Sequence, residues 1–290
     1  MIGPYVRLLR PAHWTKNVFV LAPLVFAQQL TDPEALRRGL LAFVSFCLAS
    51  SAVYVFNDIR DRAEDRLHPI KRNRPIAAGT ISVASATVLG GLLAASAIAV
   101  AVFLGGQFLI ILIIYLILNQ FYSAGLKHVV ILDVMIVSLG FVLRVLAGGV
   151  AVRVQVSAWL LLCTFLIALF LAFSKRRHEL QLLADDASDQ RPVLSHYSPS
   201  FLDQMINVVT ASTVVAYAMY AISPETAEKF HTRHLIYTIP MVLFGIFRYL
   251  YLIYQRPSTR NPTEAILRDP PFLINILVWA LAVLWIVYRG

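Results

Sequence analysis

Charge is scarce in this chain. Only 14% of its 290 residues are Asp, Glu, Lys or Arg, against roughly 25% in a typical soluble domain, and 59% are hydrophobic. The net charge of +9 does not indicate a nucleic-acid partner, because the bases lie in short loops beside apolar runs and not on a polar, foldable surface. The composition therefore predicts an all-α, polytopic membrane protein.

Cysteine and long polar segments are also scarce. The two cysteines, Cys47 and Cys163, lie inside hydrophobic runs, so neither a disulfide framework nor a cysteine metal cluster is indicated. The N-terminal segment lacks the early apolar core and the small-residue cleavage site of a signal peptide, so we expect no cleavage. The longest polar connection, 174–200, is too short for a soluble domain. We therefore expect residues 1–290 to form a single integral-membrane domain.

Nine apolar runs are candidates to cross a bilayer core of about 30 Å, which needs about 20 residues per helix and somewhat fewer where flanking groups snorkel. The first and fourth runs are short, so their ends are the least well defined. The predicted fold is a bundle of nine transmembrane helices. The runs are 18–30, 39–56, 81–104, 108–122, 129–152, 157–173, 205–222, 235–254 and 271–288.

Basic residues are divided unevenly between the two ends of these runs. Most of the 25 Lys and Arg precede the first run or follow an even-numbered run. Because Lys and Arg near span ends are retained in the cytoplasm, the N-terminus is predicted to be cytoplasmic. The C-terminus is predicted to lie on the opposite side of the inner or plasma membrane. Most of the 16 acids lie on the cytoplasmic side too, which the rule does not require. We interpret that face as a polar active site.

The most charged stretch, NDIRDRAEDRLHPIKRNRPIAAG at 57–79, follows the second apolar run directly. If the helix continues past Phe56, Asn57, Asp58, Asp61 and Asp65 share one stripe of its surface. Stacked carboxylates repel one another unless a cation neutralises them, and oxygen ligands favour Mg²⁺ over zinc. Magnesium combines few carboxylates with phosphate oxygens, so the pattern predicts a diphosphate substrate.

Two simpler interpretations of this stretch stay open. The acids could be a solvated helix end paired with the interleaved arginines, and the basic loop after them could serve only as a positive-inside anchor. In the functional interpretation the bases hold phosphate oxygens. These bases are Arg60 within the acidic stripe and Lys71, Arg72 and Arg74 in the loop.

NDIRDRAEDR matches the NDxxDxxxD signature of the UbiA prenyltransferase superfamily, and the chain resembles that family over nearly its whole length. The resemblance implies a nine-helix intramembrane enzyme that binds a diphosphate through Mg²⁺. Further segments resemble the phosphoribosyltransferase branch of the superfamily. They are RPAHWTKNVFVLAPLVFA at 10–27, YSAGLKHVVILDV at 122–134, GFVLRVLAGGVA at 140–151 and SKRRHEL at 174–180.

The branch implies transfer of 5-phosphoribose from phosphoribosyl diphosphate to a polyprenyl phosphate such as decaprenyl phosphate, with release of diphosphate, on the way to a lipid-linked arabinose donor. Asp58, Asp61 and Asp133 are the predicted catalytic residues. The resemblance makes Lys127 a phosphate contact. The other predicted contacts are Lys16 and Asn17 at the first run and Tyr122 beside Lys127.

One departure from the wider superfamily bears on the donor. Prenyl-transferring members carry a second Asp-rich motif after the sixth span, where this chain has Lys175, Arg176 and Glu179. Bases at this place suit a donor with an additional phosphate, although a helix start with Lys175 and Glu179 paired at i, i+4 is the simpler explanation. Asp185 and Asp189 have DxxxD spacing further on, and their role as a second metal motif stays open.

Two ionisable residues, Asp133 and Arg144, fall in or beside the fifth run, where charge is costly unless it is functional or paired. Eleven residues separate them, or about 16 Å along a helix, so they cannot bond each other. Asp133 is predicted to meet the metal or the ribose. Arg144 either meets the lipid phosphate or pairs with a neighbouring helix.

Two other functions stay open on the sequence alone. An aromatic prenyltransferase of the same superfamily would use a prenyl diphosphate donor and a ring acceptor, and a transporter or lipid-binding protein would use the charged face as a gate or headgroup site. The sequence leaves a monomer and a homo-oligomer equally open.

Overall fold

The computed structural model describes residues 2–69, 71–185, 192–255 and 268–289, and in these ranges every regular element is a helix. Eight helices are long and apolar enough to cross a membrane, so the chain is an integral, multi-pass membrane protein. The α-helices are α1 Ile2–Leu9, α2 Ala22–Phe26, α3 Pro33–Arg60, α4 Arg62–Leu67, α5 Val83–Leu104, α6 Gly106–Ala124, α7 Leu132–Val152, α8 Ala158–Asp185, α9 Pro199–Ile222, α10 Pro224–Phe230, α11 Ile239–Gln255 and α12 Pro270–Arg289.

The first predicted span differs from the expectation. The run 18–30 is divided between a 3₁₀ helix, Pro11–Leu21, and the five-residue α2. Proline lies in the first two positions of both elements and lacks the N–H that a continuing helix would use. At about 2.0 Å per residue the 3₁₀ helix is about 22 Å long. The ninth crossing is therefore not among the eight helices found in the described residues, and it stays a prediction.

Several long helices begin with the same local device. The side chain of Asp32 accepts hydrogen bonds from Glu34 N and Ala35 N at the start of α3, and Ser198 accepts one from Phe201 N at the start of α9. A proline follows each cap at the first helical position, where its missing N–H has no intrahelical acceptor to lose.

The chain divides into two compact units. The first comprises Met1–Lys127 and Gly140–Val156. Its core lies where α3 packs on α5 and α6, with Phe46 of α3 meeting Phe108 of α6 edge to face at 6.0 Å between ring centroids. Ala42, Ala97 and Ala101 line the same core, and such small side chains let membrane helices approach closely.

The second unit comprises His128–Leu139 and Ser157–Gly290. Its core contains Phe170 of α8, Leu202 and Ile206 of α9, and Tyr249 of α11. The short segment Pro192–His196 packs Val193 and Leu194 into this core. Helix α7 begins in the second unit and continues in the first.

Candidate active site

The predicted acidic stripe lies where α3 ends in the first unit. Helix α3 ends at Arg60, Asp61 forms the joint, and α4 follows. Asp61 N donates to Asn57 O and Asp65 N donates to Asp61 O, so the helical spacing persists across the joint. Asp58 and Asp65 are nevertheless buried, whereas Asp61 and Asn57 are half-buried. The stripe therefore separates into a buried pair and a more exposed acid.

Arg74 of the basic loop bridges the buried pair. Its Nη1 lies 3.2 Å from Asp58 Oδ1 and 2.7 Å from Asp65 Oδ2. Two carboxylates seven residues apart thus face one cationic atom. Because a buried carboxylate is costly unless it is paired, this arrangement stabilises both acids at the end of an apolar helix.

Arg10 is a site residue that the sequence analysis did not identify. Its Nη2 lies 2.6 Å from Asp58 Oδ1, and its guanidinium lies over the ring of Tyr54 at 4.9 Å from the centroid. Arg10 has a positive φ of 52°, a conformation that is costly for a side chain other than glycine. Ser51 Oγ donates to the neighbouring Leu9 O and holds this turn. No local pattern links Arg10 with an acid 48 positions away, and only its place in the RPAHWTKN segment could have suggested it.

Asp61 has a different partner, the predicted phosphate contact Lys127. Lys127 Nζ lies 3.6 Å from Asp61 Oδ1, and both side chains are 28% exposed. Tyr122 is half-buried in the last turn of α6, a few residues before Lys127. Arg60 is exposed and donates from Nη2 to Gln120 Oε1 at 3.3 Å. The predicted contacts in 57–61 and 122–127 therefore lie close together. Their pairs, Asp61 with Lys127 and Arg60 with Gln120, do not share a residue with the buried cluster of Asp58, Asp65 and Arg74.

The other predicted bases of the loop, and Lys16 outside it, are half-buried or exposed. Arg72 is exposed and Lys71 is half-buried, with Lys71 N donating to His68 Nδ1. Lys16, on the 3₁₀ helix Pro11–Leu21, is exposed. Arg74 is the base of this loop that bridges Asp58 and Asp65 through one nitrogen.

The two predicted contacts Asn17 and Arg144 bond to each other inside the protein. Arg144 Nε donates to Asn17 Oδ1 at 2.8 Å, and the remaining guanidinium nitrogens donate to Gly140 O and Tyr115 OH. Asn17 Nδ2 donates to Ser50 Oγ at 3.2 Å. Of the two possibilities for Arg144, the structure favours pairing with a neighbouring element over contact with a lipid phosphate. Asn17 is fully buried, so its predicted role as a substrate contact finds no support in its position.

Asp133 lies in the second unit, in the first turn of α7, and is fully buried. Its Oδ2 accepts from Arg176 Nε at 2.7 Å, and its Oδ1 accepts from Tyr197 OH at 2.7 Å. Arg176 Nη1 also donates to Glu179 Oε2 at 2.9 Å. Asp133, which the sequence predicted to contact the metal or the ribose, is thus an internal counter-ion of Arg176.

The end of this network is more exposed. Lys175 Nζ lies 3.7 Å from Glu179 Oε1, so the i, i+4 pair expected from the sequence is present. The Lys175 side chain is 42% exposed and that of Glu179 is 25% exposed. In the DxxxD pair, Asp185 is the last residue of α8, and Asp189 lies outside the described residues.

The donor set of the first unit fits a magnesium ion bound together with phosphate. No three Asp, Glu, His or Cys side chains converge on a metal position in the described ranges. Magnesium in phosphate-handling enzymes takes one or two carboxylates and completes its shell with phosphate oxygens and water. Asp58 and Asp65 supply two such oxygens around one cation, Arg74 Nη1. The fit therefore depends on a substrate that brings its own oxygens.

Comparison with known families decides the class of the protein. The model of the UbiA prenyltransferase family matches residues 18–275. This chain belongs to the UbiA prenyltransferase family. It is therefore a membrane enzyme of a group-transferring family, and the transporter alternative has no support.

Two curated relatives are similar over most of their length. Decaprenyl-phosphate phosphoribosyltransferase of Mycolicibacterium smegmatis is 35% identical, with 96% of this chain and 91% of the relative covered. The enzyme of the same name from Corynebacterium glutamicum is 33% identical, with coverage of 98% and 86%.

A solved structure shares the fold. A UbiA homologue from Archaeoglobus fulgidus bound to GPP and Mg²⁺ aligns with a TM-score of 0.73 at 22% identity, covering 99% of this chain and all of the homologue. At that identity the similarity establishes the UbiA fold.

Proposed function

We propose that this chain transfers 5-phosphoribose from phosphoribosyl diphosphate to decaprenyl phosphate and releases diphosphate. The observation that carries the proposal is the pair of buried carboxylates, Asp58 and Asp65, gathered around one cation at the end of an apolar helix. Such a site handles a metal-bound diphosphate beside the bilayer. The names of the similar phosphoribosyltransferases support the donor and the acceptor.

Asp58 and Asp65, helped by Asp61 and Asn57, would hold Mg²⁺. When bound, the ion supplies charge neutralisation for the departing diphosphate. The homologue that was solved with GPP and Mg²⁺ supports a metal of this kind in the family. Asp58 Oδ1 and Asp65 Oδ2 are bonded to arginines, so a metal ion that binds through these two oxygens would displace Arg10 and Arg74 from them.

The released arginines have a second task in this proposal. Arg10 and Arg74 have side chains that are 22% and 30% exposed, so their guanidinium groups can turn toward an incoming phosphate. A guanidinium binds phosphate oxygens in a fork geometry. Lys127 beside Asp61 adds a compact positive charge for the same diphosphate.

The transfer needs no strong general base. A phosphate monoester oxygen is already ionised at neutral pH, so the acceptor oxygen can attack the anomeric carbon directly. The bond from that carbon to the acceptor oxygen forms, and its bond to the diphosphate oxygen breaks with the electron pair leaving on diphosphate. The residues of the site bind and orient the two phosphorylated groups.

The basic end of α8 is proposed to recognise the ribose 5-phosphate. Lys175 is the most exposed member of its network and carries a positive charge where prenyl-transferring relatives carry acids. A prenyl diphosphate has no phosphate at the far end of the transferred group, whereas phosphoribosyl diphosphate does. Lys175 with Arg176 therefore favours the phosphorylated sugar donor.

The surroundings of the reaction are proposed on the same basis. The site is expected on the cytoplasmic side of the inner or plasma membrane, because the bases concentrate there. The product would feed a lipid-linked arabinose donor. Residues 1–290 are proposed to act as a single integral-membrane domain, with a homo-oligomer as one possible assembly.

The proposal is tested with purified protein, Mg²⁺, labelled phosphoribosyl diphosphate and decaprenyl phosphate. We expect a labelled product that partitions into organic solvent and requires all three components. The second candidate is an aromatic prenyltransferase, favoured by the fold shared with a GPP-bound homologue. Prenylation of hydroxybenzoate from a prenyl diphosphate, with no labelled lipid in the first assay, would replace the proposed function by this second one.

A further inference from the structure

Two neighbouring arginines on α8, Arg176 and Arg177, are each bonded to an aspartate that also accepts a hydrogen bond from a tyrosine. Arg177 Nε donates to Asp203 Oδ1 at 2.8 Å, and Tyr254 OH donates to the same oxygen at 2.7 Å. Like the Arg176 network, this is an arginine, an aspartate and a tyrosine joined in series. All of its members lie in the second unit.

Burial distinguishes the two triads. In the Arg176 triad the aspartate is fully buried and the Tyr197 side chain is buried in the core, whereas the Asp203 side chain is 35% exposed. A hydrogen bond to a charged group gains most where water cannot compete. Burial and the neighbouring carboxylate also raise the pKa of Tyr197, so its hydroxyl stays a proton donor at neutral pH.

Tyr197 holds a strained backbone turn as well. Ile131 N donates to Tyr197 OH at 2.7 Å, and Ile131 has a φ of 71°. A positive φ is a genuine outlier for a β-branched residue and persists only where its surroundings fix it. The turn at Ile131 leads directly to Asp133, so one hydroxyl fixes both the turn and the carboxylate that follows.

The network continues from Asp133 to the proposed donor contact. Arg176 lies between Asp133 and Glu179, and Glu179 lies between Arg176 and Lys175. Side-chain exposure rises along this order from 0% for Asp133 to 42% for Lys175. A buried polar network transmits position because each member has few alternative partners.

We infer that Tyr197 is a positioning residue for the phosphoribosyl donor, acting through Asp133 and Arg176 on the group that binds the ribose 5-phosphate. The inference rests on the proposed function, which assigns Lys175 and Arg176 to that phosphate. Tyr197 itself contacts neither substrate. Its removal should therefore affect the donor and spare the lipid acceptor.

The test compares the full-length wild type with Tyr197→Phe in lipid nanodiscs. We expect the KM for phosphoribosyl diphosphate to rise about tenfold, the equivalent of about 1.4 kcal/mol, while the KM for decaprenyl phosphate stays within about twofold. Tyr254→Phe is the matched control, because it removes the corresponding hydroxyl from the Arg177 triad. It should leave the donor KM unchanged.

A double variant separates positioning from general stability. If Tyr197 acts through Asp133, Tyr197→Phe adds no further rise in donor KM in an Asp133→Asn background. A purely structural role would instead make the two losses multiply, or would lower the active fraction with both KM values intact. Should Tyr197→Phe fail to fold, Ile131→Gly is added, since glycine adopts the positive φ without strain.

Donor binding is measured separately by equilibrium dialysis of labelled phosphoribosyl diphosphate with Mg²⁺ and no acceptor. A wild type that binds the donor without transferring it overturns the proposed function, and the Tyr197 inference is then judged by weaker binding in Tyr197→Phe. A wild type that binds no donor overturns both. An unchanged donor affinity in Tyr197→Phe, or an equal loss in Tyr254→Phe, overturns the inference alone.

Discussion

The two carboxylate networks of this protein are built from the same kinds of side chain but differ in the solvent exposure of their arginines. We call a network open when its arginines are partly exposed and closed when its arginine is buried. Asp58 in the first unit is paired with Arg10 and Arg74, whose side chains are 22% and 30% exposed. Asp133 in the second unit is paired with Arg176, whose side chain is 5% exposed. Both acids are buried, so the two networks differ in how far the arginines that pair with these acids are exposed.

This difference separates an exchangeable site from a fixed one. Partly exposed arginines can leave a carboxylate for a phosphate group at modest cost when a metal ion takes their place beside the buried acid, because water can solvate the arginines on the way. When a buried arginine leaves its carboxylate, both the guanidinium and the carboxylate become buried charges without a counter-ion. We therefore expect the metal and the diphosphate to bind at the first network. The second network is expected to hold Lys175 in position for the ribose 5-phosphate.

The largest effect is expected from Asp58→Asn and Asp65→Asn in the first network. Each removes a charged oxygen ligand and should lower turnover by more than about 1000-fold, since a group that stabilises developing charge contributes about 100- to 1000-fold alone and a metal ligand also holds the ion. Turnover is measured as labelled lipid product per minute at saturating substrates.

Glu64→Gln is the control for these variants. Glu64 lies on α4 between Asp61 and Asp65, but it is exposed. Its amide variant should keep wild-type turnover. Full activity in both Asp58→Asn and Asp65→Asn would mean that the first network is not the metal site.

The second effect concerns stability, and it is expected at the closed network. Asp133→Asn leaves the buried Arg176 without its nearest carboxylate and should destabilise the protein by about 3 kcal/mol, the lower end for a broken buried pair. Asp203→Asn breaks the more exposed pair with Arg177 and should cost about 1 kcal/mol or less. Thermal unfolding in detergent compares them, and equal losses would contradict the distinction between closed and open networks.

The sequence predicted the parts of this comparison that depend on local properties. Apolar runs determine membrane helices through their length, so the run 39–56 lies within α3 and the run 81–104 nearly coincides with α5. The run 18–30 misled, because its composition is apolar but Pro11 and Pro23 place it in short helices. Composition alone does not distinguish a 3₁₀ helix from an α-helix.

Pairing between distant residues could not be predicted in the same way. The spacing of Asp58 and Asp65 predicted a shared face, and Arg74 confirms that the two acids face one cation. Asp61 lies at the helix joint and pairs with Lys127 instead, and no turn residue in DIRDRAED signals that joint. Arg10 meets Asp58 only because the 3₁₀ helix packs beside α3, and that packing depends on contacts far along the chain.

One of those contacts gives the third prediction. A Cβ on Gly148 of α7 would overlap the carbonyl oxygen of Val20 on the 3₁₀ helix, so Gly148→Ala must push apart two backbones. Overpacking of this kind costs about 1–3 kcal/mol. Displacement of the 3₁₀ helix should also raise the donor KM, since that helix begins directly after Arg10.

Gly91→Ala is the matched control for Gly148→Ala. Gly91 lies within α5 with open space around the added methyl group, so alanine should be neutral or stabilising there. Melting temperature and donor KM are measured for both variants. If Gly148→Ala behaves like Gly91→Ala, then the close approach of α7 and the 3₁₀ helix does not maintain the first network.

The smallest effect tests whether Arg10 and a metal ion exchange at Asp58. Arg10 and Mg²⁺ would compete for Asp58 Oδ1, so Arg10→Gln should lower the half-saturating Mg²⁺ concentration by up to about fivefold, the equivalent of about 1 kcal/mol. The same variant should raise the KM for phosphoribosyl diphosphate, because the guanidinium is lost as a phosphate ligand. Arg7→Gln removes an exposed charge from the adjoining α1 and should change neither value. Opposite shifts in Mg²⁺ and donor dependence distinguish an exchanging arginine from a fixed counter-ion, whose loss would weaken both.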